Sequence, residues 1–174
     1  MLIGLIIIIL SISIDQITKI LARTLLPLNG PDVVWIPGLF EVSYHQNPGM
    51  SFGALEGQQL LFMIATIIAL GLFGYLFKDS DYKNKKVYSL AIAFFIAGTL
   101  GNAIDRALYG YVIDFMHFPF LDGLLNAIGL SNFYNNWADM FLSAAIVLFA
   151  IDLFILDEKR KKELKKRETT PQSE

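Results

Sequence analysis

Apolar residues fall into four long runs along the chain, and most acidic and basic residues lie between them or at their ends. Residues Leu2 to about Ala22 form the first run, broken by Asp15, Gln16, Thr18 and Lys19. At about 1.5 Å per residue this stretch spans the roughly 30 Å of hydrocarbon in a bilayer. The runs Leu60 to Phe77, Val87 to about Arg106, and about Trp137 to Leu156 have similar character, so the pattern predicts four transmembrane helices. A cleaved signal peptide fits the first run poorly: no basic region precedes it and no small-residue cleavage site follows.

The connecting segments differ in kind. From Leu26 to Gln58, Pro27, Gly30, Pro31, Pro37 and Gly38 punctuate short runs such as Val33 to Ile36 and Leu39 to Tyr44, which read as strands joined by turns. Trp35, Phe40 and Tyr44 suit a headgroup boundary, so this region is expected to be a small sheet lying on the membrane. Ala107 to Asn135 reads as an aromatic and apolar loop at the interface, with a short amphipathic helix within it. The fold class is thus a mainly α membrane protein: a single four-helix domain, residues 1–157, followed by a basic tail, residues 158–174, that is partly disordered.

Composition supports the bilayer as solvent, with 55% hydrophobic residues and a mean hydropathy of +0.52. Four of the 14 Lys and Arg residues lie between Lys78 and Lys86 and seven in the tail, which predicts a cytoplasmic location for both termini and an outward location for the two long connections. Nucleic-acid binding has no support. The chain has no cysteine, which excludes disulfides, thiolate chemistry and acylation of the protein itself on Cys. His45 and His117 are the only histidines and neither belongs to a zinc-peptidase motif, so no metal site is expected and no metal or organic cofactor is called for.

Topology then singles out particular acids. The third helix reaches the outer surface near Asn102, Asp105 and Arg106; Asp114 follows on that side, and the fourth helix starts inward with Asn136 and Asp139. Ionisable groups at membrane depth are costly and mark function. Asp114 and Asp139 have no basic neighbour in sequence, and two carboxylates held close in a low dielectric share a proton, one acting as base and the other as acid. The bland alternative is that each merely caps a helix or turn. Asp105 suits an ion pair, and Asp15 and Lys19, four apart on one helix face, suit another. Asp152 lies about 20 Å deeper and too far from the pair. Gly98 and Gly101 permit close helix approach. Gly49-Met50-Ser51-Phe52-Gly53 has the form of a serine-hydrolase elbow but lacks the surrounding α/β sheet, and a Ser51 and Lys19 dyad is a subtler rival. A rival of another class is a small proton- or ion-coupled transport component, in which Asp15, Lys19, Asp105 and Asp139 form a relay.

Five motifs in order, Asp15-Gln16-x-Thr18-Lys19, Asn47-x-Gly49-x-Ser51-Phe52, Gly98-x-x-Gly101-Asn102-x-x-Asp105-Arg106, Val112-x-Asp114-Phe115 and Asn136-x-Ala138-Asp139, resemble those of the lipoprotein signal peptidases, or signal peptidase II. The resemblance covers nearly the whole chain up to the tail. It implies a bacterial inner-membrane aspartic peptidase that cleaves prolipoproteins on the amino side of a diacylglyceryl-modified cysteine, with its site at the outer face. Asp114 and Asp139 fall on the catalytic pair. Asn47, Gly49, Asn102, Asp105, Arg106 and Asn136 fall on residues that line or support the substrate pocket, and Asp15 and Lys19 on the first-helix motif. The resemblance also implies a sheet that cradles substrate, a lid formed by Ala107 to Asn135, contact with membrane lipids, and inhibition by globomycin-like cyclic peptides. A monomer is expected. Residues Leu121 to Leu130 look like an insertion relative to the usual lid.

Overall fold

The computed structural model describes residues 1–49, 59–127 and 133–169, the side chains of 164–169 excepted. The Gly49 to Gly53 pattern beyond Gly49, Ser51 included, lies outside the described residues, as do the end of the sheet-like region near Gln58 and the last part of the Leu121 to Leu130 insertion.

Among the described residues four helices are long and apolar enough to cross a membrane. They are α1 (Leu2–Leu25), α2 (Gln59–Phe77), α3 (Lys86–Tyr109) and α5 (Trp137–Ile151), the last running on through a π-helical turn (Asp152–Leu156) into α6 (Asp157–Thr169). The bundle's outer surface is apolar, and its interior holds buried polar and charged side chains beside apolar ones. In α1 the buried residues are Gly4, Ile8, Ser11, Asp15, Lys19 and Ala22, spaced by three or four, so one stripe of the helix faces the protein. Ile9, Leu10, Ile17 and Ile20 on its remaining surface are exposed, an arrangement that water does not reward and lipid does.

The central helix is α3, which packs against α1, α2 and α5. Its buried face is lined by small residues, and two of them are glycines for a measurable reason. A Cβ on Gly98 would lie 2.5 Å from the Ala138 carbonyl oxygen, and one on Gly101 would lie 2.6 Å from Asp15 Oδ2. At the end of the bundle remote from the sheet, Ile8, Phe77, Ile92, Ala93 and Ala97 form an apolar core. Helix α2 buries only Phe77 among its side chains, so it lies against the bundle rather than within it.

At the other end sits a four-stranded antiparallel sheet in the order β1 (Val33–Ile36), β2 (Phe40–Asn47), β3 (Val112–His117), β4 (Tyr134–Asn135). All four residues of β1 are exposed, Trp35 by 68%, which suits a strand facing headgroups. The loop reading of Ala107 to Asn135 is corrected here. Val112 to His117 is an inner strand with five consecutive buried residues, and it pairs His45 with Asp114 and Glu41 with His117. Among the other described residues of this stretch, Asp122–Ala127 form the short helix α4 and Tyr134–Asn135 the edge strand β4. The charged tail is helical as far as Thr169. Asp152, isolated in sequence, is gripped at both oxygens by Arg160 at 2.9 and 2.8 Å.

Candidate active site

Two carboxylates are brought together by two different mechanisms of local folding. Asp114 rides on β3, whose register against β2 sets Asn47 two strand positions from His45 and within reach of the carboxylate. Asn47 Nδ2 donates to Asp114 Oδ2 at 2.9 Å, and Asn136 Nδ2 donates to Oδ1 at 2.7 Å. Asp139 belongs to the first turn of α5. There Asn136 is the N-cap, accepting from the Asp139 N–H at 3.0 Å, while Asp139 Oδ2 accepts the Asn136 N–H at 3.3 Å. This reciprocal capping box explains why Asn and Asp occur three residues apart at a helix start. Capping engages one oxygen of Asp139, and the other, Oδ1, accepts from Asn102 Nδ2 at 2.8 Å.

Both carboxylates line one cavity of about 300 Å³, together with Asn47, Gly49, Asn102 and Arg106 and the apolar Phe62 and Leu142. Burial raises the Asp114 carboxyl to about 7, with the negative charge of Asp139 adding to the effect and the two amide donors opposing it. Asp114 therefore holds or releases a proton near neutrality. The Arg106 guanidinium donates to the Gly49 carbonyl at 3.2 Å and stacks over the Phe62 ring at 4.5 Å. Its Nε has no acceptor among the described residues.

Beneath this cavity lies a second, closed cluster. Lys19 is 1% exposed and its ammonium meets Asp15 at 2.8 Å, Asp105 at 2.9 Å and Asn102 Oδ1 at 3.0 Å. Three donors meet three acceptors, so no lone pair or free proton remains for chemistry. Asp105 also accepts the Ile113 N–H at 3.1 Å, which fixes the start of β3, and Asp15 accepts the Ala138 N–H at 2.9 Å, which fixes the start of α5. Asp105 lies beside Arg106 in sequence and takes its cation from Lys19 in space. Saturation of Lys19 also removes the base from any dyad with Ser51.

Sequence reasoning missed several contributors. Gln16 bridges Asp15, Asp105 and the Gly101 carbonyl at 3.1 Å each. Phe62 and Leu142 line the cavity from apolar helices that carry no local signal for such a role. Strand β3 did carry a signal: a β-branched and aromatic run bounded by Gly110 and Pro119.

A bundle of membrane-length helices capped by a small sheet over a polar cavity is the architecture of a helical membrane enzyme. Two solved bacterial membrane enzymes, both determined by the in meso method, are similar to it. One, at 1.9 Å resolution, matches with a TM-score of 0.72 at 32% identity over 87% of this chain and 92% of its own. The other, at 2.3 Å, matches with a TM-score of 0.72 at 30% identity over 98% and 93%. A family model described as signal peptidase (SPase) II matches residues 7–155. The lipoprotein signal peptidase of Clostridium tetani is 36% identical over 154 residues, 88% of this chain and 92% of the relative. That of Listeria monocytogenes serotype 4a is 31% identical over 153 residues, 86% and 92% respectively. The chain belongs to the signal peptidase II family of membrane peptidases.

Proposed function

We propose that this protein is an intramembrane aspartic endopeptidase that removes signal peptides from prolipoproteins, cutting on the amino side of a diacylglyceryl-modified cysteine, with Asp114 and Asp139 as its catalytic pair. The observation that carries the reading is the pair's environment. Both carboxylates face one cavity, each is held by carboxamide donors, and the nearby lysine is committed to other acids.

In this mechanism one carboxylate of the singly protonated pair takes a proton from water as the water oxygen attacks the scissile carbonyl carbon. The other delivers its proton to the carbonyl oxygen, giving a neutral tetrahedral diol. Collapse moves the proton taken from water on to the leaving amine nitrogen as the C–N bond breaks, and a diol hydroxyl gives its proton to the other carboxylate, which restores the singly protonated pair without an acyl-enzyme. Arg106 supplies the donor suited to a substrate carbonyl, its Nε being free of acceptors among the described residues. Asn47, Asn102 and Asn136 position the pair. Asp15, Lys19 and Asp105 hold the helices and strand that carry it.

The apolar surface of α2 and its shallow packing support entry of the lipidated substrate sideways from the bilayer, its acyl chains remaining among lipids. Clustering of Lys and Arg at Lys78 to Lys86 and in the tail supports cytoplasmic termini and a site at the outer face of the bacterial inner membrane. Within the expected lid, Ala107 to Asn135, helix α4 lies outside the sheet; globomycin-like cyclic peptides are expected inhibitors, and the working unit is a monomer.

The test is cleavage of a diacylglyceryl-cysteine peptide by the purified protein. Wild type is expected to cut before the lipidated cysteine, and folded Asp114→Asn and Asp139→Asn variants are expected not to. Cleavage by those variants but not by Ser51→Ala would replace the aspartic mechanism with a serine one. Complete inactivity of the wild type would favour ion-coupled transport.

A further inference from the structure

The sheet carries a second polar cluster, about its own histidine and away from the cavity. Register places Glu41 on β2 directly opposite His117 on β3. Asp32, in the segment before β1, reaches the same imidazole edge: His117 Nδ1 lies 3.1 Å from Glu41 Oε2 and 3.5 Å from Asp32 Oδ2. On the opposite edge, Nε2 lies 3.1 Å from Asp122 Oδ1 of α4. The Tyr134 hydroxyl donates to both Asp32 oxygens at 3.3 Å, and its ring is stacked on His45 with centroids 3.7 Å apart, which fixes that donor in place.

Charge and geometry point the same way. Among the described residues the only ion-pair partner of these three carboxylates is His117 itself. A protonated imidazole leaves two negative charges uncompensated within one small volume. Whichever nitrogen of a neutral imidazole carries the proton, the other presents a lone pair to a carboxylate, Nε2 to Asp122 or Nδ1 to Asp32 and Glu41, which is repulsive unless a cation lies between them. The three donor atoms, Nδ1 and one oxygen each from Asp32 and Glu41, lie within 4.8 Å of one another. Ligand bonds of about 2.0–2.1 Å in a tetrahedron give donor separations of about 3.3 Å, and the two distances from Nδ1 bracket that value.

We propose that Asp32, Glu41 and His117 form a binding site for a divalent transition cation of the zinc class, with water as the fourth ligand and Asp122 orienting the imidazole from its far nitrogen. One nitrogen and two carboxylate donors suit zinc better than calcium or magnesium, which take oxygen ligands. A carboxylate on the distal nitrogen is the usual support of a metal-bound histidine. Such an ion ties the segment before β1, strand β2, strand β3 and, through Asp122, helix α4 into one unit. Its role is a structural clamp on the sheet, independent of the peptidase chemistry.

The experiment is zinc titration of the tag-free full-length protein in detergent, read by competition with a chromophoric chelator and by thermal unfolding. The expected result is a single saturable zinc ion per chain that raises the unfolding midpoint. Asp122→Asn is expected to weaken it by about 10- to 100-fold. Glu41→Gln is expected to weaken binding at least about tenfold, and His117→Ala to abolish both the binding and the stabilisation. Calcium and magnesium are expected to produce neither effect. His117→Gln keeps a polar group at the position and reports the same loss if the alanine variant does not fold. Absence of saturable zinc binding, or binding unchanged in the His117 variants, overturns the site. So does stabilisation of the wild type by acid but not by zinc, which identifies an imidazolium bound by carboxylates instead.

Discussion

Two buried groups of aspartates lie side by side in this molecule, and they are built on opposite plans. Around Lys19, Asp15 and Asp105 share one ammonium and take further hydrogen bonds from Gln16, Ala138 and Ile113, so their charge is consumed in holding elements together. Around the cavity, Asp114 and Asp139 face carboxamides, which orient a carboxylate without neutralising it. The difference separates the structural acids from the proposed chemical ones in a low dielectric: one set has its cation within 3 Å, the other has a neighbour of like charge.

Isosteric amide substitutions break the comparison most directly. Asp114→Asn or Asp139→Asn is expected to lower the cleavage rate by about a thousandfold or more while leaving the unfolding midpoint equal to or above that of wild type, since a buried repulsion is removed. Asp15→Asn or Asp105→Asn is expected to do the reverse in kind, lowering the midpoint first and activity through it. A chemical variant that unfolds, or a structural variant that folds well but is dead, would merge the two classes. Next in size is Lys19→Met, which leaves two carboxylates buried without their cation. A loss of about 3–5 kcal/mol is expected in thermal or denaturant unfolding, with some recovery in the Lys19→Met/Asp105→Asn double variant.

The pH dependence sharpens the contrast further. The Asp114 carboxyl stands at about 7 in the folded protein against 3.8 for a free side chain, so the folded state binds the extra proton between those values. Its contribution to stability is therefore greatest below about pH 4, declines as pH rises, and is fully lost above about 7. Midpoints measured across that window are expected to fall less steeply with rising pH in Asp114→Asn than in wild type. Activity is expected to follow a bell whose limbs belong to the pair, with the alkaline limb near neutrality. The smallest effect tests the spacing between the two groups. Gly101→Ala puts a methyl 2.6 Å from Asp15 Oδ2 and 3.0 Å from the Ala138 Cβ, so a loss of about 1–3 kcal/mol in unfolding is expected, with the chemistry of surviving folded protein retained.

Legibility in the sequence followed the range of the interaction responsible. The four helices are written locally as charge-free runs, and β1 and β2 as short apolar segments between prolines and glycines. Asp15 and Lys19 were readable as a pair because they are four apart on one helix. Strand β3 carries a local signal in Val112 to Phe115 within a stretch that reads as loop; its partner, Glu41 to Asn47, lies far back in the chain, so only the pairing was beyond local reading. The partner of Asp105 was hidden for a like reason: Arg106 is adjacent in sequence, but helical geometry turns it toward Phe62 and Gly49 while Lys19 arrives from another helix. The meeting of Asp32, Glu41 and His117 depends on register and left no trace in spacing.

The contact between Asp15 and the amide of Ala138 joins residues 123 positions apart, from the first membrane helix and the last. A ribosome making this chain delivers Asp15 at the outset and its partner only near the end, and Asn136 and Asp139 arrive with that same final helix. A nascent chain that stops short of α5 therefore lacks both the brace and half of the proposed catalytic pair. The order of synthesis acts as a safety catch: the peptidase arms itself only when its last span is in place.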